Sequence, residues 1–183
     1  MNKNLFLYYQ KTDIGTVGIA ECGGSISHLL FESGSFLPDA QLLETKLIGE
    51  AFLQLNSYLA GKLKQFSLPL APSGTPYMRN VWKILSTIPY GTTLTYKDIA
   101  ASMGNSLASR AVGMANHRNP IPVFIPCHRV IGSDGSLTGY RGGLALKKKT
   151  PRPRNKHPVI PTLHSVKVCN IPYSWDLHNA VYC

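Results

Sequence analysis

The chain has 183 residues, of which 44% are hydrophobic, and a formal net charge of +10 at pH 7. That length and apolar content suffice for one large or two small domains with a packed core. No stretch approaches the apolar length of a membrane span, and the opening MNKNLFLYYQ lacks the apolar run and cleavage site of a signal peptide, so an intracellular protein with no membrane partner is expected. Four cysteines, Cys22, Cys127, Cys169 and Cys183, show no C-x-x-C spacing and are expected to be reduced. The charge is uneven: residues 1–70 hold five Lys/Arg against six Asp/Glu, 71–146 hold seven against two, and 147–183 hold seven against one. A basic middle segment suits a phosphate-bearing partner, because Lys and Arg gain affinity by displacing counterions from nucleic acid; solubility alone would also account for it.

In chain order, Leu5 to Tyr9, Gly15 to Ala20 and Ile26 to Glu32 are short β-rich runs separated by turn signals at Thr12-Asp13 and Cys22-Gly23-Gly24-Ser25. They predict a small antiparallel sheet. Asp39 offers an N-cap, and the stripe Leu43, Leu47, Ala51, Leu55, Leu59, stopped by Gly61, predicts a long amphipathic helix covering that sheet. Ser67 to Gly74, with Pro69 and Pro72, reads as a linker, which places a domain at 1–70 and a second at 71–146.

The second domain opens at Thr75-Pro76 with a helix whose face is Met78, Val81, Trp82 and Leu85, ending before Pro89-Tyr90-Gly91. Thr95 and Asp98 have the spacing of a capping box for a helix through Ile99, Ala100 and Met103 that Gly104 can end, and Ser106 can cap the next. Two short helices joined by Gly104-Asn105-Ser106 fit either a helix-turn-helix or an ordinary helical hairpin. In the second of them Leu107, Ala108, Ala111, Val112 and Ala115 form the expected apolar stripe, opposite Arg110, Gly113, Met114 and His117. Gly113 would let backbone approach a duplex, and Arg110 is long enough to enter a base stack or pair with a phosphate.

The chemistry concentrates at Pro126-Cys127-His128-Arg129, delivered by the aliphatic run Asn119 to Ile125. Only the thiolate is nucleophilic, and basic neighbours lower a thiol's pKa, so Cys127 is a candidate nucleophile; an inert buried cysteine is the alternative. In extended backbone Cys127 and His128 would point to opposite sides, so a water would have to relay the proton. No metal is expected at Cys127, and Cys22 with His28 supplies only two of the ligands a zinc site needs. Gly132 to Gly143 lacks the Lys-Ser/Thr of a phosphate loop and is read as a hairpin followed by a lid.

Four motifs in order, Ile88-Pro89-Tyr90-Gly91 leading to Thr95-Tyr96, Arg110-Ala111-Val112-Gly113, Ile125-Pro126-Cys127-His128-Arg129-Val130 and Gly139-Tyr140-Arg141-Gly142-Gly143-Leu144-Ala145, resemble the O6-alkylguanine-DNA alkyltransferases, also called methylated-DNA-protein-cysteine methyltransferases. The resemblance runs from about Leu5 to Leu146. It implies an α+β protein: a small N-terminal sheet with a covering helix, ribonuclease H-like, and a C-terminal helical domain with a winged helix-turn-helix. It implies direct, irreversible, cofactor-free transfer of an alkyl group from O6-alkylguanine in double-stranded DNA, with O4-alkylthymine a second substrate, to Cys127 of a monomer. Carried over by position, His128 takes the thiol proton through a water, Asn119 orders the active-site turn, and Tyr96 assists the leaving guanine and the outward rotation of the nucleotide. Arg110 fills the vacated stack, Asn105 and Ser133 contact the DNA backbone beside Ala111 and Gly113, and Tyr140 and Arg141 belong to a lid over the flipped base. The placement would be intracellular, in the cytoplasm or nucleoid or in the nucleus.

The chain departs from the family after Ala145. Family members continue into a helix whose glutamate orients the histidine, whereas no glutamate follows Glu50 here and residues 147–183 open with Lys-Lys-Lys-Thr-Pro-Arg-Pro-Arg. That atypical basic, Pro-containing tail is expected to be disordered; nonspecific DNA affinity or a nuclear address is the functional alternative. The missing carboxylate raises a second reading of the whole protein, a module that binds the lesion with impaired transfer.

Overall fold

The computed structural model describes residues 4–32 and 37–135, and the chain divides into two compact units between Ser73 and Gly74. In the first, strands β1 (Leu5–Thr12), β2 (Gly15–Cys22), β3 (Ser25–Phe31) and β4 (Gln41–Leu42) form a sheet in the order β3-β2-β1-β4. The two hairpins are antiparallel, and β4 adds to β1 in parallel. Gly23 and Gly24 both have positive φ, 58° and 77°. A two-residue turn of that hand matches the twist of the strands it joins, which is why the Gly-Gly pair marks the hairpin.

Helix α1 (Lys46–Leu59) lies on the sheet, burying Ile48, Ala51, Phe52, Leu55 and Tyr58, with Phe52 edge-on to Tyr8. Its cap is Thr45, whose Oγ1 accepts from Ile48 N at 3.2 Å and also donates to a Glu21 carboxylate oxygen on β2. The expected Asp39 cap and the start of the stripe at Leu43 are therefore corrected. Leu43 N donates to Leu7 O at 3.1 Å, and this long-range pairing keeps residues 41–43 extended and leaves Leu43 exposed. On the side of the sheet carrying Leu7, Ala20 and Leu30, the residues Leu37 and Ala40 pack.

The predicted linker is also part of this unit. Ile26 N donates to Pro69 O at 2.8 Å and Ala71 N to Ile26 O at 2.9 Å, while Phe66, Leu68 and Leu70 are buried at alternate positions. The segment thus covers the free edge of β3 as an extended, period-two strip, a device that keeps a sheet edge from pairing elsewhere. Cys22 is disulfide-bonded, contrary to the expectation that all four cysteines are reduced.

In the second unit, α2 (Pro76–Thr87) is capped by Thr75 with Pro76 in its first turn, and Trp82 Nε1 donates to Ala115 O at 2.8 Å. Strand β5 (Leu94–Thr95) leads directly into α3 (Tyr96–Ser102), whose capping box is complete: Thr95 N donates to Asp98 Oδ2 at 2.8 Å and Asp98 N to Thr95 Oγ1 at 3.1 Å. Gly104, at φ 83°, ends that helix in the left-handed conformation that only glycine adopts at little cost. A 3-10 turn (Ser106–Ala108) follows, and then α4 (Ser109–His117). The turn is capped by Asn105, whose Oδ1 accepts from Leu107 N at 3.1 Å, and not by Ser106. β5 pairs in parallel with β6 (Val130–Ile131). The described part of the wing is the turn Gly132–Gly135, closed by Gly135 N to Gly132 O at 2.9 Å; the rest of the expected hairpin, the lid and the tail lie outside the described residues.

Candidate active site and DNA-facing helix

Between α4 and Cys127 the chain is not the strand that its aliphatic composition suggests. Every residue from Asn119 to Val130 is buried, and the segment folds back on itself through Ile125 N to Ile121 O at 3.0 Å. Val123 carries φ 76°, a left-handed conformation costly for a β-branched residue, and its side chain is fully buried. Asn119 clamps this loop from inside: its Nδ2 donates to Ile125 O and its Oδ1 accepts from Ile121 N, each at 3.0 Å. Pro126, at φ −79° and ψ 58°, makes an inverse γ-turn in which Cys127 N donates to Ile125 O at 2.8 Å. Ile125 O therefore receives both the clamp and the nucleophile's own backbone.

Cys127, His128 and Arg129 form a 3-10 turn, with Cys127 2% exposed, His128 fully buried and Arg129 buried. This corrects the extended backbone assumed for the pair. Successive side chains on a 3-10 turn are spread around its axis by about a third of a revolution, so Cys127 and His128 still do not face each other. The Arg129 guanidinium donates through Nη1 to Ile88 O and lies 5.8 Å from the centre of the Tyr90 ring. It ties the reactive turn to the end of α2, a structural part that its proximity to the thiol in sequence did not reveal. Among the described residues no group of three or more His, Cys, Asp or Glu could hold a metal ion.

Tyr96 is the first residue of α3, immediately after Thr95, which pairs with Ile131 just beyond the reactive turn. A Cβ built at Gly113 would lie 3.9 Å from Tyr96 Cδ1 and Cε1. Gly113 is half-buried, and a side chain added there would meet the tyrosine ring at an ordinary contact distance. The expected apolar stripe differs at two positions: Leu107, in the 3-10 turn, is 91% exposed and Ala111 is exposed, whereas Val112, Ala115 and also Asn116 are buried and Arg110 and Met114 are exposed as expected. The 3-10 turn at 106–108 shifts the phase of the chain before α4 begins, so a stripe counted through Leu107 falls out of register. Asn105 and Ser133 are exposed in their turns, whereas Tyr140 and Arg141 lie outside the described residues. Asn116 was not singled out from the sequence. Its one signal there is an amide at buried helical spacing from Val112.

The family model described as "6-O-methylguanine DNA methyltransferase, DNA binding domain" matches residues 76–152, and that of the "ribonuclease-like domain" matches residues 5–72. The chain belongs to the 6-O-methylguanine DNA methyltransferase family. It is 48% identical over 147 residues to the methylated-DNA--protein-cysteine methyltransferase of Methanosarcina barkeri, covering 78% of this chain and 93% of that protein. It is 44% identical over 138 residues to the constitutive enzyme of that name from Bacillus subtilis, covering 72% and 84%. Among solved structures, Mycobacterium tuberculosis OGT in complex with DNA matches with a TM-score of 0.72 at 37% identity, over 80% of this chain and 95% of that one. The family's architecture, a small sheet domain followed by a helical domain, is the one found here.

Proposed function

We propose that this protein repairs double-stranded DNA by moving the alkyl group of O6-alkylguanine onto Cys127, once per protein molecule. The observation that carries the reading is the placement of Cys127: a buried thiol on a tight turn, in a loop that is clamped by Asn119 and follows a helix with an exposed Arg110. A buried thiol cannot reach a base stacked in a duplex, so the nucleotide must rotate out at a cost of roughly a few kcal/mol. Arg110 offsets that cost by occupying the gap. The exposed face of α4 lies in the minor groove, where readout is degenerate and a lesion in any sequence is accessible.

In the chemical step the thiolate sulfur attacks the alkyl carbon in line with its bond to O6. The S–C bond forms as the C–O bond breaks, and the electron pair leaves on guanine O6. His128 accepts the thiol proton through a water, and Tyr96 stabilises the departing guanine. The thioether has no leaving group as good as guanine, so the protein is not regenerated. No cofactor takes part, and the protein acts as a monomer inside the cell. The relatives carry transferase names, and nothing favours the lesion-binding alternative, which the missing glutamate alone suggested. Incubation with a duplex containing one O6-methylguanine, followed by nucleoside analysis, tests the reading. Guanine restored in proportion to the protein added is expected, and an unchanged lesion would refute it.

A further inference from the structure

Val123 is, among the described residues, the one non-glycine position with positive φ, at 76°, and its side chain is fully buried. It stands second in a tight turn, Pro122 to Ile125, whose ends pair as an isolated bridge. Turns of that hand normally place glycine, asparagine or aspartate there, because a branched Cβ crowds the backbone. A valine persists in such a conformation only where the surrounding structure over-determines it, and residues of this kind gather at functional sites. Here the turn leads straight to the nucleophile. Ile125 N donates to Ile121 O at 3.0 Å, and Ile125 O accepts from Cys127 N at 2.8 Å and from Asn119 Nδ2 at 3.0 Å. Both sides of Ile125 are thus held, and a reversal of φ at Val123 would turn the chain away from Ile121 O and carry the Ile125 carbonyl off Cys127 N.

We infer that Val123 is a positioning residue for transfer to Cys127: burial of its isopropyl group pins the 122–125 turn in one hand and so fixes where the thiol stands. This inference rests on the alkyl-transfer reading above. A glycine would adopt φ 76° without strain, but it enters the mirror-image conformation as readily, so the turn could swing and the thiol with it. With valine, reversing the hand takes the isopropyl group out of the site that buries it. In-line displacement is sensitive to such a swing, since a misplacement of about 1 Å can cost about 100-fold in rate. Burial of the side chain and strain of the backbone therefore oppose each other at this one residue, and variants separate them.

The test compares wild type with Val123→Gly and Val123→Ala in the full chain. Val123→Ala removes the burial but keeps a Cβ that resists positive φ, whereas Val123→Gly removes both. Single-turnover transfer from a saturating duplex with one O6-methylguanine should therefore fall about twofold to threefold in Val123→Gly and about tenfold in Val123→Ala, with affinity for unmodified duplex unchanged. Modification of Cys127 by a bulky thiol reagent should accelerate in the same order, wild type slowest and Val123→Ala fastest. A role in packing alone predicts Val123→Gly as the more damaged variant, because it deletes more buried volume. Val123→Gly as slow in transfer as Val123→Ala, or slower, would overturn the assignment, as would wild-type rates in both. Should Val123→Ala fail to fold, Val123→Gly against wild type decides: transfer at the wild-type rate would overturn the assignment, and slower transfer at unchanged duplex affinity upholds it. If the wild type leaves the lesion untouched, the alkyl-transfer reading fails instead, while the order of thiol modification still tests the pin.

Discussion

Replacing Asn119 by alanine is the most informative single perturbation of the reactive loop. Its carboxamide makes two buried hydrogen bonds within the loop, to Ile125 O and from Ile121 N. Ile125 O retains a second donor in Cys127 N, so its loss is that of one hydrogen bond, about 0.5–1.5 kcal/mol. Ile121 is fully buried, and its N–H is left unpaired at about 1–3 kcal/mol. Together the loop loses about 1.5–4.5 kcal/mol against its opened state. Cys127 is 2% exposed, so a bulky thiol reagent reaches it only when the loop opens. Modification of Cys127, followed by peptide mass mapping to separate it from the other cysteines, should accelerate about 10- to 2,000-fold in Asn119→Ala. Acceleration below about threefold would refute the clamp, because the unpaired Ile121 N–H alone should exceed it.

Three further outcomes follow from the same geometry. Arg110→Ala should slow repair in duplex DNA far more than transfer from free O6-benzylguanine, measured by the appearance of alkylated protein; equal losses would remove Arg110 from the extrusion step. Gly113→Ala should stabilise α4 by up to about 1 kcal/mol in denaturant titration, because the added Cβ meets Tyr96 at an ordinary contact distance of 3.9 Å, whereas Gly113→Leu must displace the ring and slow transfer. Asp98→Ala removes one half of the capping box and should cost about 0.5–2 kcal/mol in the same titration; no measurable change would contradict the role given to that hydrogen bond.

The parts legible in the sequence are those settled within a few residues. Gly23-Gly24 declares a hairpin because both φ values must be positive, and Thr95 with Asp98 declares a helix start because both orphan N–H groups find partners inside one turn. The misreadings in the first unit involve partners distant in the chain, and those in the second come from local turns that composition does not announce. Leu43 is held extended by Leu7, and Pro69 and Ala71 run along Ile26, so a helix start and a linker were assigned to residues that complete a sheet. The loop before Cys127 is aliphatic enough to pass for a strand, but the Asn119 carboxamide, Val123 at positive φ and the turn at Pro126 fold it back. At the site, the thiol and the motifs around it were plain from residue types. Arg129's tie to Ile88 and the orphaned amide of Asn116 were not, since both depend on what three-dimensional packing leaves available to a buried polar atom.

The most direct test of alkyl transfer is the mass of the peptide containing Cys127 after the intact protein has met a stoichiometric amount of duplex bearing one O6-methylguanine. One added methylene unit, located on Cys127 and absent when the duplex carries unmodified guanine, is the predicted result. An unmodified Cys127 beside a lesion that has disappeared, or a protein that shifts the lesion duplex in a gel yet gains no mass, would contradict the account.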